Sequence, residues 1–349
     1  MARVGIIGTG WGARVQTPNF RSAGLEVTAI AGRAAAKTER VARELAIDRF
    51  FTDWRDLVRS PEVDLVSIVT PPSLHRAMTL AALEAGKHVL CEKPTALDAA
   101  EAREMFDASR QYPDRIALID HELRFLPAWD RAKAVVEEIG ALRFAEVRYS
   151  SSSRGDRARE WNWWSDAAEG GGVLGAVASH FIDTLRYLVG EIAAVRGLLH
   201  TFIGSRPAAD GQARTVTSDD FAAVGLRFEN GALALLSFSV VAAIDEPTTL
   251  TIHGENGGLR LVAGSLSTVA RGGEWRETVP APPRIVGDSS GGPFGSGTLH
   301  LGRALKAALD DGKIDALAPA ATFFDGLQQQ RALDAARESS RNGGGWITR

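Results

Sequence analysis

The first 120 residues alternate short apolar runs with stretches whose apolar positions have helical spacing. The apolar runs predict strands at Arg3 to Ile7, Leu25 to Ala31, Asp64 to Val69, Lys87 to Cys91 and Arg115 to Asp120. Helical spacing predicts helices from about Ala13, over Ala34 to Ala46, over Leu74 to Ala85 and over Asp98 to Arg110. Strands that alternate with helices favour a parallel sheet covered on both faces. Residues 1–120 are therefore predicted to form a doubly wound α/β domain.

The pattern changes after residue 120. A helix is predicted over Pro127 to Ile139, and most later apolar runs follow one another as hairpins. Asn230 and Gly231 separate two such runs, and Asn-Gly is typical of a hairpin turn with two positive φ angles. A further helix is predicted over Ala178 to Val189, and a loop over Gly287 to Gly297. We therefore predict an α+β domain with a mostly antiparallel sheet over residues 121–349.

Composition narrows the class of protein. The chain has 349 residues, of which 45% are hydrophobic, and a formal charge of −3, which argues against nucleic acid as a partner. The longest uncharged stretch, Gly231 to Ile244, is too short for a membrane-spanning helix. Cys91 is the single cysteine, so no intrachain disulfide forms. We expect a cytoplasmic protein that acts on a small molecule, without a signal peptide and without a membrane contact.

A glycine-rich turn follows the first predicted strand. It reads Gly8-Thr9-Gly10-Trp11-Gly12-Ala13 and opens a predicted helix. Gly8 allows a tight turn, Gly10 lets the backbone approach a pyrophosphate, and Ala13 permits close helix packing. The helix N-terminus then offers N–H donors to the phosphates. The turn predicts a dinucleotide site, with a purely structural turn as the alternative.

The tip of the second strand bears on which dinucleotide is bound. Sites that prefer NAD place a carboxylate here to hold the ribose 2′-hydroxyl. This chain instead has Gly32 and Arg33 after the strand, with Lys37 one turn into the next helix. Arg33 and Lys37 are suited to bracket a 2′-phosphate. NADP is therefore the preferred prediction, and NAD remains the alternative.

Three further stretches complete an ordered set of motifs. They read Thr70-Pro71-Pro72-Ser73-Leu74-His75, Gly86-Lys87-His88-Val89-Leu90-Cys91-Glu92-Lys93-Pro94, and Gly170-Gly171-Gly172 followed by His180-Phe181-Ile182-Asp183. With the glycine turn, the chain resembles the Gfo/Idh/MocA oxidoreductase family over nearly its whole length. The resemblance implies a Rossmann domain followed by an α+β domain with an open-faced sheet, which commonly forms homodimer or homotetramer contacts.

The resemblance also implies roles for single residues. Lys93 would stabilise charge on the reacting oxygen, and Glu92 would hold the strand end near the nicotinamide ribose. The peptide bond before Pro94 is often cis in relatives. His180 would donate or accept the proton, and Asp183 would bind a substrate hydroxyl. The loop beside the cofactor would contain Thr70, Pro71, Pro72 and His75.

One position departs from the family pattern. Relatives usually carry Asp-x-Gly-x-His after the glycine run, whereas this chain has Ala176 and Ala178 before His180. Either His180 works with Lys93 alone, or another group replaces the acid. The candidates for that group are Asp120, His121 and Glu122. Arg124 and Phe125 match an Arg-Phe pair common in relatives, and Arg124 and Glu122 are candidates to bind substrate.

The segment around residues 154–164 has two interpretations. Trp163 and Trp164 are predicted to line a substrate pocket, with packing under the sheet as the alternative. Arg154, Arg157 and Arg159 are suited to an acidic substrate, but a solvated loop is the preferred interpretation of these three residues. The sequence shows no His, Cys or Asp cluster with metal-ligand spacing, so no metal site is predicted.

Together these features predict an NAD(P)-dependent oxidoreductase, with NADP preferred, that acts on a hydroxyl or carbonyl of a sugar, cyclitol or related ring compound. The alternative is a catalytically weak NAD(P)-binding regulator of the same fold. The missing acid at Ala176 favours the regulator, and the presence of both Lys93 and His180 favours the enzyme.

Overall fold

The computed structural model describes residues 1–281 and 292–348. These residues form two compact units. The first unit contains residues 1–96, 100–126 and 292–327, and the second contains residues 97–99, 127–281 and 328–348.

The regular elements are numbered in chain order. The strands are β1 (Arg3–Ile7), β2 (Glu26–Ala31), β3 (Arg49–Phe51), β4 (Leu65–Ile68), β5 (His88–Cys91), β6 (Ala117–Ile119), β7 (Leu142–Ser150), β8 (Ile192–His200), β9 (Ser205–Pro207), β10 (Ala213–Thr215), β11 (Phe221–Phe228), β12 (Leu233–Ser239), β13 (Glu246–Gly254), β14 (Gly257–Val262), β15 (Ser265–Ala270), β16 (Arg276–Val279), β17 (Ala321–Thr322) and β18 (Ile347–Thr348). The α-helices are α1 (Thr17–Ser22), α2 (Ala35–Glu44), α3 (Trp54–Arg59), α4 (His75–Glu84), α5 (Ala99–Gln111), α6 (Pro127–Glu138), α7 (Ser179–Val189), α8 (Pro293–Asp311) and α9 (Phe323–Arg341).

Shorter helical segments lie beside several of these elements. Gly12–Gln16 and Leu174–Ala178 are π-helical and run directly into α1 and α7. Such π segments are rare and are frequent at functional sites. The 3₁₀ turns are Pro72–Leu74, Glu122–Phe125, Trp163–Ser165, Ala167–Glu169 and Ile314–Leu317.

The first unit contains a seven-stranded sheet in the order β17-β6-β5-β4-β1-β2-β3. All its strand pairs are parallel except β17 with β6. The strands are short apolar runs because both faces of this sheet are buried, as Ile6, Leu65 and Leu90 show with 0% exposure. The predicted doubly wound parallel sheet is confirmed. It places the carboxyl ends of β1, β2, β4 and β5 at one edge, where ligands bind in such folds.

The second unit contains a nine-stranded sheet in the order β16-β15-β14-β13-β7-β12-β11-β8-β18. The pair β7 and β12 is parallel, and the other pairs are antiparallel. Buried and exposed side chains alternate along β12, where Leu236 and Phe238 face α7 and Leu233 and Leu235 face outward. This confirms the predicted mostly antiparallel sheet.

The hairpin at Asn230 forms, but its turn type differs from the prediction. Gly231 has a φ of +89°, whereas Asn230 is not among the residues with positive φ. The Gly231 N–H donates to the Phe228 carbonyl at 3.0 Å, and the Phe228 N–H donates to the Ala232 carbonyl at 2.9 Å. These bonds describe a longer loop with one left-handed residue rather than a two-residue turn with two.

The units do not follow the predicted boundary after residue 120. Residues 121–126 lie in the first unit, and so do residues 292–327. Leu301 and Leu305 of α8 explain the second difference, because they are buried in the same apolar core as β1 and β4. The predicted loop over Gly287 to Gly297 lies partly outside the described residues, and from Pro293 onward the chain is helical.

Candidate active site

The glycine turn between β1 and the following π segment is tightly packed against β4. Gly8 has a φ of +139°, and a Cβ there would lie 2.1 Å from the Val69 carbonyl oxygen. Its N–H donates to the Ala31 carbonyl at 2.9 Å. A Cβ at Gly12 would lie 2.6 Å from Ile6 Cγ2. Both positions therefore require glycine, and together they place the helix start directly over the strand ends.

The exposed side of the same turn fits a phosphate group. A Cβ built at Gly10 would have no atom of the described residues within 4 Å. The first helical bond runs from the Arg14 N–H to the Gly10 carbonyl at 3.1 Å. The N–H groups just before Arg14 therefore start a helix and have no acceptor within it. Open space beside a helix N-terminus suits the pyrophosphate of a dinucleotide.

The tip of β2 lies against this turn. A Cβ at Gly32 would be 2.7 Å from Thr9 Cγ2, which brings the two predicted cofactor segments together. The Thr38 hydroxyl donates to the Gly32 carbonyl at 3.0 Å and fixes the tip. Arg33 and Lys37 are both exposed, and neither forms an ion pair within residues 1–281 and 292–348. The tip therefore presents two solvated cations and no carboxylate of its own.

The loops after β4 and β5 are joined by His75. The ring is fully buried, with Nε2 2.9 Å from the Thr70 carbonyl and Nδ1 3.1 Å from the Pro94 carbonyl. Burial lowers the pKa of His75 to about 4, so the ring is neutral at physiological pH. The predicted cofactor contact of His75 is thus corrected: the ring holds two loops together and leaves no surface for a ligand. The Lys93–Pro94 peptide is cis, as the resemblance implied.

A buried carboxyl cluster surrounds Lys93 at the carboxyl ends of β5 and β6. The Gln16 side-chain amide donates to Glu92 Oε1 at 3.1 Å and to Asp120 Oδ2 at 2.8 Å. The Ser67 hydroxyl donates to Gln16 Oε1 at 2.6 Å, which fixes the orientation of that amide. Asp120 is 1% exposed. We call Glu92, Asp120 and Glu122 the carboxyl cluster.

The electrostatics of the carboxyl cluster favour retained protons. Burial raises the pKa of Asp120 well above its usual range, and repulsion from Glu92 adds to it. Burial likewise raises the pKa of Glu122, with repulsion from Asp120 as the next cause. Burial raises the pKa of Glu92 as well, and attraction to Lys93 opposes this. Burial and mutual repulsion thus favour the protonated forms of these acids, and attraction to Lys93 favours the charged form of Glu92.

Asp120 and Glu122 were sequence candidates for the missing acid, and the structure places both beside Lys93. Gln16, which links Glu92 to Asp120, was missed. The available signal was its polar side chain on the buried face of the helix after the glycine turn, where apolar residues are the rule. The Oδ1 atom of Asp120 is buried without a hydrogen-bond partner in the part of the chain described.

Arg124 does not have the surroundings predicted for a substrate-binding residue. It is 3% exposed, and its Nη2 lies 3.3 Å from Asp325 Oδ1. Its Nη1 also donates to the Pro319 carbonyl at 3.4 Å. The guanidinium therefore ties the turn after β6 to the segment that leads into α9, and the prediction for Arg124 is corrected to a structural role.

The second unit carries the other predicted catalytic positions on α7. His180 and Asp183 are 4% and 1% exposed. Ala176 is half-buried in the π segment that precedes them, and its N–H donates to the Gly172 carbonyl at 2.9 Å. The Leu174 N–H donates to Asp219 Oδ2 at 2.7 Å, so a carboxylate that sequence reasoning missed holds the start of this helix.

The two predicted pocket tryptophans differ in their surroundings. Trp163 is 37% exposed. Trp164 is partly covered, because the Arg154 guanidinium lies 3.7 Å from the centre of its ring. Asn162 caps the short turn that holds both, accepting from the Trp164 N–H at 3.0 Å.

The described residues contain neither a candidate metal cluster nor a candidate membrane-spanning helix. No group of three or more His, Cys, Asp and Glu side chains among them has the arrangement of a metal site. None of the helices in these ranges combines the length and the apolar character that a membrane span needs.

Comparison with known proteins covers both units. The family model of oxidoreductases with an NAD-binding Rossmann fold matches residues 2–119, and the model of the Gfo/Idh/MocA C-terminal domain matches residues 129–260. An uncharacterized oxidoreductase of Synechocystis sp. is 33% identical over 274 residues, which is 77% of this chain and 74% of the relative. Glucose-fructose oxidoreductase domain-containing protein 2 of Xenopus tropicalis is 31% identical over 357 residues, which is 97% of this chain and 92% of the relative.

Solved structures show the same similarity. A levoglucosan dehydrogenase in complex with NADH and levoglucosan has a TM-score of 0.87 and 26% identity, covering 99% of each chain.

Proposed function

Because the chain belongs to the Gfo/Idh/MocA family, we propose that it transfers a hydride between NADP and a hydroxyl or carbonyl carbon of a sugar, cyclitol or related ring compound. The family resemblance seen in the sequence is confirmed, and the chain is an NAD(P)-binding oxidoreductase. The proposal rests on one observation above all. Lys93 lies beside the carboxyl cluster in the same unit as the glycine turn.

The substrate class is supported by the names of similar proteins. Levoglucosan is the ligand named for the structurally similar dehydrogenase, and glucose and fructose are named for the curated relatives. Ring compounds with several hydroxyls are therefore the first substrates to test.

The preference for NADP rests on the tip of β2. Arg33 and Lys37 are exposed there. A 2′-phosphate would give each cation a charge-assisted contact. The cofactor named for levoglucosan dehydrogenase is NADH, so this preference is argued from these two side chains alone.

The chemistry is assigned to residues of the first unit. NADP, when bound, would supply the nicotinamide ring that accepts or donates the hydride. Lys93 donates a hydrogen bond to the substrate oxygen and stabilises the charge that develops there. In the oxidation direction, the hydroxyl proton moves to Lys93 as Lys93 gives a proton to the Glu92 carboxylate.

The carboxyl cluster then replaces the acid that is missing at position 176. A proton that leaves Lys93 is accepted by the Glu92 carboxylate, and Asp120, joined to Glu92 through Gln16, shares it. In the reduction direction the same protons move the other way. Glu92 and Asp120 are thus a proton store for Lys93.

The roles of His180 and Asp183 remain predictions from the resemblance. Substrate binding by Glu122, Trp163 and Trp164 also remains a prediction. A regulator with little turnover is the second candidate function, and Ala176 is the observation that favours it.

We also propose a homodimer or homotetramer that forms through the sheet of the second unit. Large apolar side chains stand exposed on one face of that sheet, and their exposures are 44% for Phe144, 62% for Leu198, 48% for Leu233 and 59% for Leu235. Leu233 pairs with Phe144 across β12 and β7, and Leu235 lies two positions further along β12, so these three side chains are neighbours on one face. Such patches mark interaction surfaces.

The test is turnover. The protein is mixed with NADP⁺ or NAD⁺ and a panel of sugars and cyclitols, and with the reduced cofactors and oxidised sugars, while nicotinamide absorbance is followed. We expect turnover that is faster with NADP and that falls by about 10²–10⁴ in Lys93→Met. Lys313→Met removes an exposed lysine, which pairs only with Asp311 at 3.7 Å, and should leave the rate unchanged. Tight NADP(H) binding without turnover across the panel would establish the regulator instead.

A further inference from the structure

Several arginines converge on the loop after β7 and on β9 in the second unit. They are Arg154, Arg157, Arg159 and Arg206, which we call the arginine cluster. Arg206 is 4% exposed, whereas Arg157 and Arg159 are exposed. No carboxylate within residues 1–281 and 292–348 forms an ion pair with any of the four. Buried or half-buried cations are normally paired, so this excess of positive charge is unusual.

Backbone carbonyls hold two of these guanidiniums in place. Arg206 donates to the Asp156 carbonyl through Nη1 and to the Arg154 carbonyl through Nη2, both at 2.6 Å. Arg159 donates to the Ser153 carbonyl at 2.8 Å. A carbonyl oxygen accepts a hydrogen bond but carries no net charge. The contacts therefore fix the cations without neutralising them.

Arg154 is the least compensated member of the arginine cluster. Its guanidinium lies flat over Trp164 at 3.7 Å, and its Nη1 is buried with no acceptor among the described atoms. Burial, together with repulsion from Arg159 and Arg206, lowers the pKa of Arg154 to about 9. The side chain is still protonated at neutral pH. A buried donor on a charged group therefore lacks a partner.

Two carboxylates, Asp156 and Asp220, are close enough to attract Arg206, but both accept hydrogen bonds from backbone N–H groups. Asp156 accepts the Ala158 N–H at 2.8 Å. Asp220 accepts the N–H groups of Phe202 and Ile203 at 2.8 and 2.9 Å. Their attraction acts on Arg206, and neither contributes to the pKa of Arg154. Asp156 and Asp220 therefore offset part of the charge of Arg206, and neither of them offsets that of Arg154.

A cavity adjoins the arginine cluster. It has a volume of about 300 Å³, and Arg157 and Arg206 form part of its wall together with Phe202, Ser205 and Pro207. This volume is at the lower end of small-ligand pockets.

We propose that the arginine cluster binds an oxyanion group, phosphoryl or carboxylate, on a small ligand held in this cavity. The oxyanion would accept from Arg157 and Arg206 in the cavity wall, and it would add the negative charge that Arg154 lacks. Arginine suits this task because its planar fork matches the oxygens of phosphate and carboxylate. The proposal is independent of the hydride transfer assigned to the first unit.

The experiment measures ligand binding and melting temperature together. Calorimetry is performed with inorganic phosphate, glycerol 3-phosphate and acetate at constant ionic strength, on the wild-type protein and on Arg154→Leu, which keeps an apolar cover on Trp164. We expect the wild-type protein to bind at least one of the three and to melt at a higher temperature with it. The affinity should fall in Arg154→Leu, because a positive charge beside Arg206 is lost, and about tenfold or more in Arg157→Gln, because a charge-assisted hydrogen bond from the cavity wall is lost. Binding of glycerol 3-phosphate alone would identify a phosphorylated ligand, and binding of acetate alone a carboxylate.

The control is Arg214→Leu. Arg214 also lies over a tryptophan, 5.6 Å from the ring centre of Trp161, but it has a carboxylate partner, Asp210, at 3.5 Å. This variant should bind the anion like the wild-type protein. Without anion, Arg154→Leu should melt no lower than the wild-type protein, because an uncompensated cation has been removed. Should Arg154→Leu fail to fold, the exposed Arg157→Gln provides the same binding test. The proposal is overturned if none of the three anions binds, or if both cluster variants bind them as the wild-type protein does.

Discussion

The carboxyl cluster of the first unit and the arginine cluster of the second unit face the same physical problem with opposite charges. Each gathers like charges around a buried member, Asp120 in the first and Arg206 in the second. Glu92, Asp120 and Glu122 surround one lysine, and burial raises the pKa of all three. Arg154, Arg159 and Arg206 repel one another without a carboxylate partner in the described ranges.

The two clusters relieve that repulsion by different routes. A carboxyl group becomes neutral by binding a proton, so the first cluster is self-sufficient and holds protons that a reaction can use. Arginine cannot release its proton near neutral pH, so the second cluster depends on an external anion. A buried cluster of acids thus favours proton transfer, and a buried cluster of arginines favours anion binding.

The largest effect is expected from Asp120→Asn. An amide keeps the hydrogen bond to Gln16 but cannot carry a proton for Lys93. We expect kcat to fall about 10³-fold, with a changed pH profile and an unchanged melting temperature. Steady-state kinetics over a pH series measures this. Asp107→Asn on the exposed face of α5 serves as the control. A pH profile identical to that of the wild-type protein would show that Asp120 is not part of the proton store.

Asp219 tests whether a carboxyl group of the second unit behaves like those of the first. Burial raises its pKa to about 6 from the usual 3.8. Between these values the unfolded chain releases the proton while the folded protein keeps it, so the wild-type protein loses stability as pH rises from 3.8 to about 6. In Asp219→Asn this loss, up to about 3 kcal/mol, should be absent.

Denaturant unfolding at several pH values provides that measurement, with the exposed Asp114→Asn as the control. The difference in unfolding free energy between Asp219→Asn and the wild-type protein should grow as pH rises through the window. If the difference stays constant with pH, Asp219 is ionised in the folded protein and serves only as a helix cap.

Arg33 is an exposed arginine and therefore differs from the buried Arg206 of the arginine cluster. Because it is exposed, its removal should leave stability unchanged, unlike the removal of a buried charge. Arg33→Ala should weaken NADP⁺ binding about tenfold, through loss of the contact to the 2′-phosphate, and leave NAD⁺ binding as it is. Fluorescence titration measures both. Arg40→Ala on the following helix, α2, is the control, and equal loss of both cofactors would refute a role in discrimination.

The smallest effect is expected where a carboxyl group is added. Ala176→Asp restores the residue usual in relatives, at a half-buried position near the start of a helical segment, where a negative charge is favourable. We expect the melting temperature to stay within about 4 °C of the wild-type value. Unfolding of this variant would mean that the side chain at position 176 faces protein rather than solvent, and that the alignment on His180 fails.

Much of the first unit was predictable because short stretches of sequence determine its strands, its helices and its glycine turn. The apolar run Arg3 to Ile7 is the observed β1, and the other predicted strand and helix ends lie within about two residues of those found. The glycine turn was predictable because Gly8 needs both a positive φ and the absence of a Cβ. Family motifs located Lys93, and chain order alone placed Asp120 and Glu122 at a neighbouring strand end.

The remainder depended on contacts between distant parts of the chain. Arg124 was interpreted as a substrate ligand because its partner Asp325 is 201 positions away. Segment 292–327 joined the first unit because Leu301 and Leu305 fill its core, which no local pattern shows. The arginine cluster was ambiguous in sequence because Arg206 lies far along the chain from Arg154 and Arg159.

Hydride transfer itself is tested most directly by isotope. The compound of the sugar panel that supports turnover is prepared with deuterium on the reacting carbon and incubated with NADP⁺, and the nicotinamide is analysed by mass spectrometry and NMR. The account predicts deuterium on the reduced nicotinamide ring at a rate that falls sharply in Lys93→Met. Deuterium that appears in water, or a rate that is the same in Lys93→Met and the wild-type protein, would contradict it.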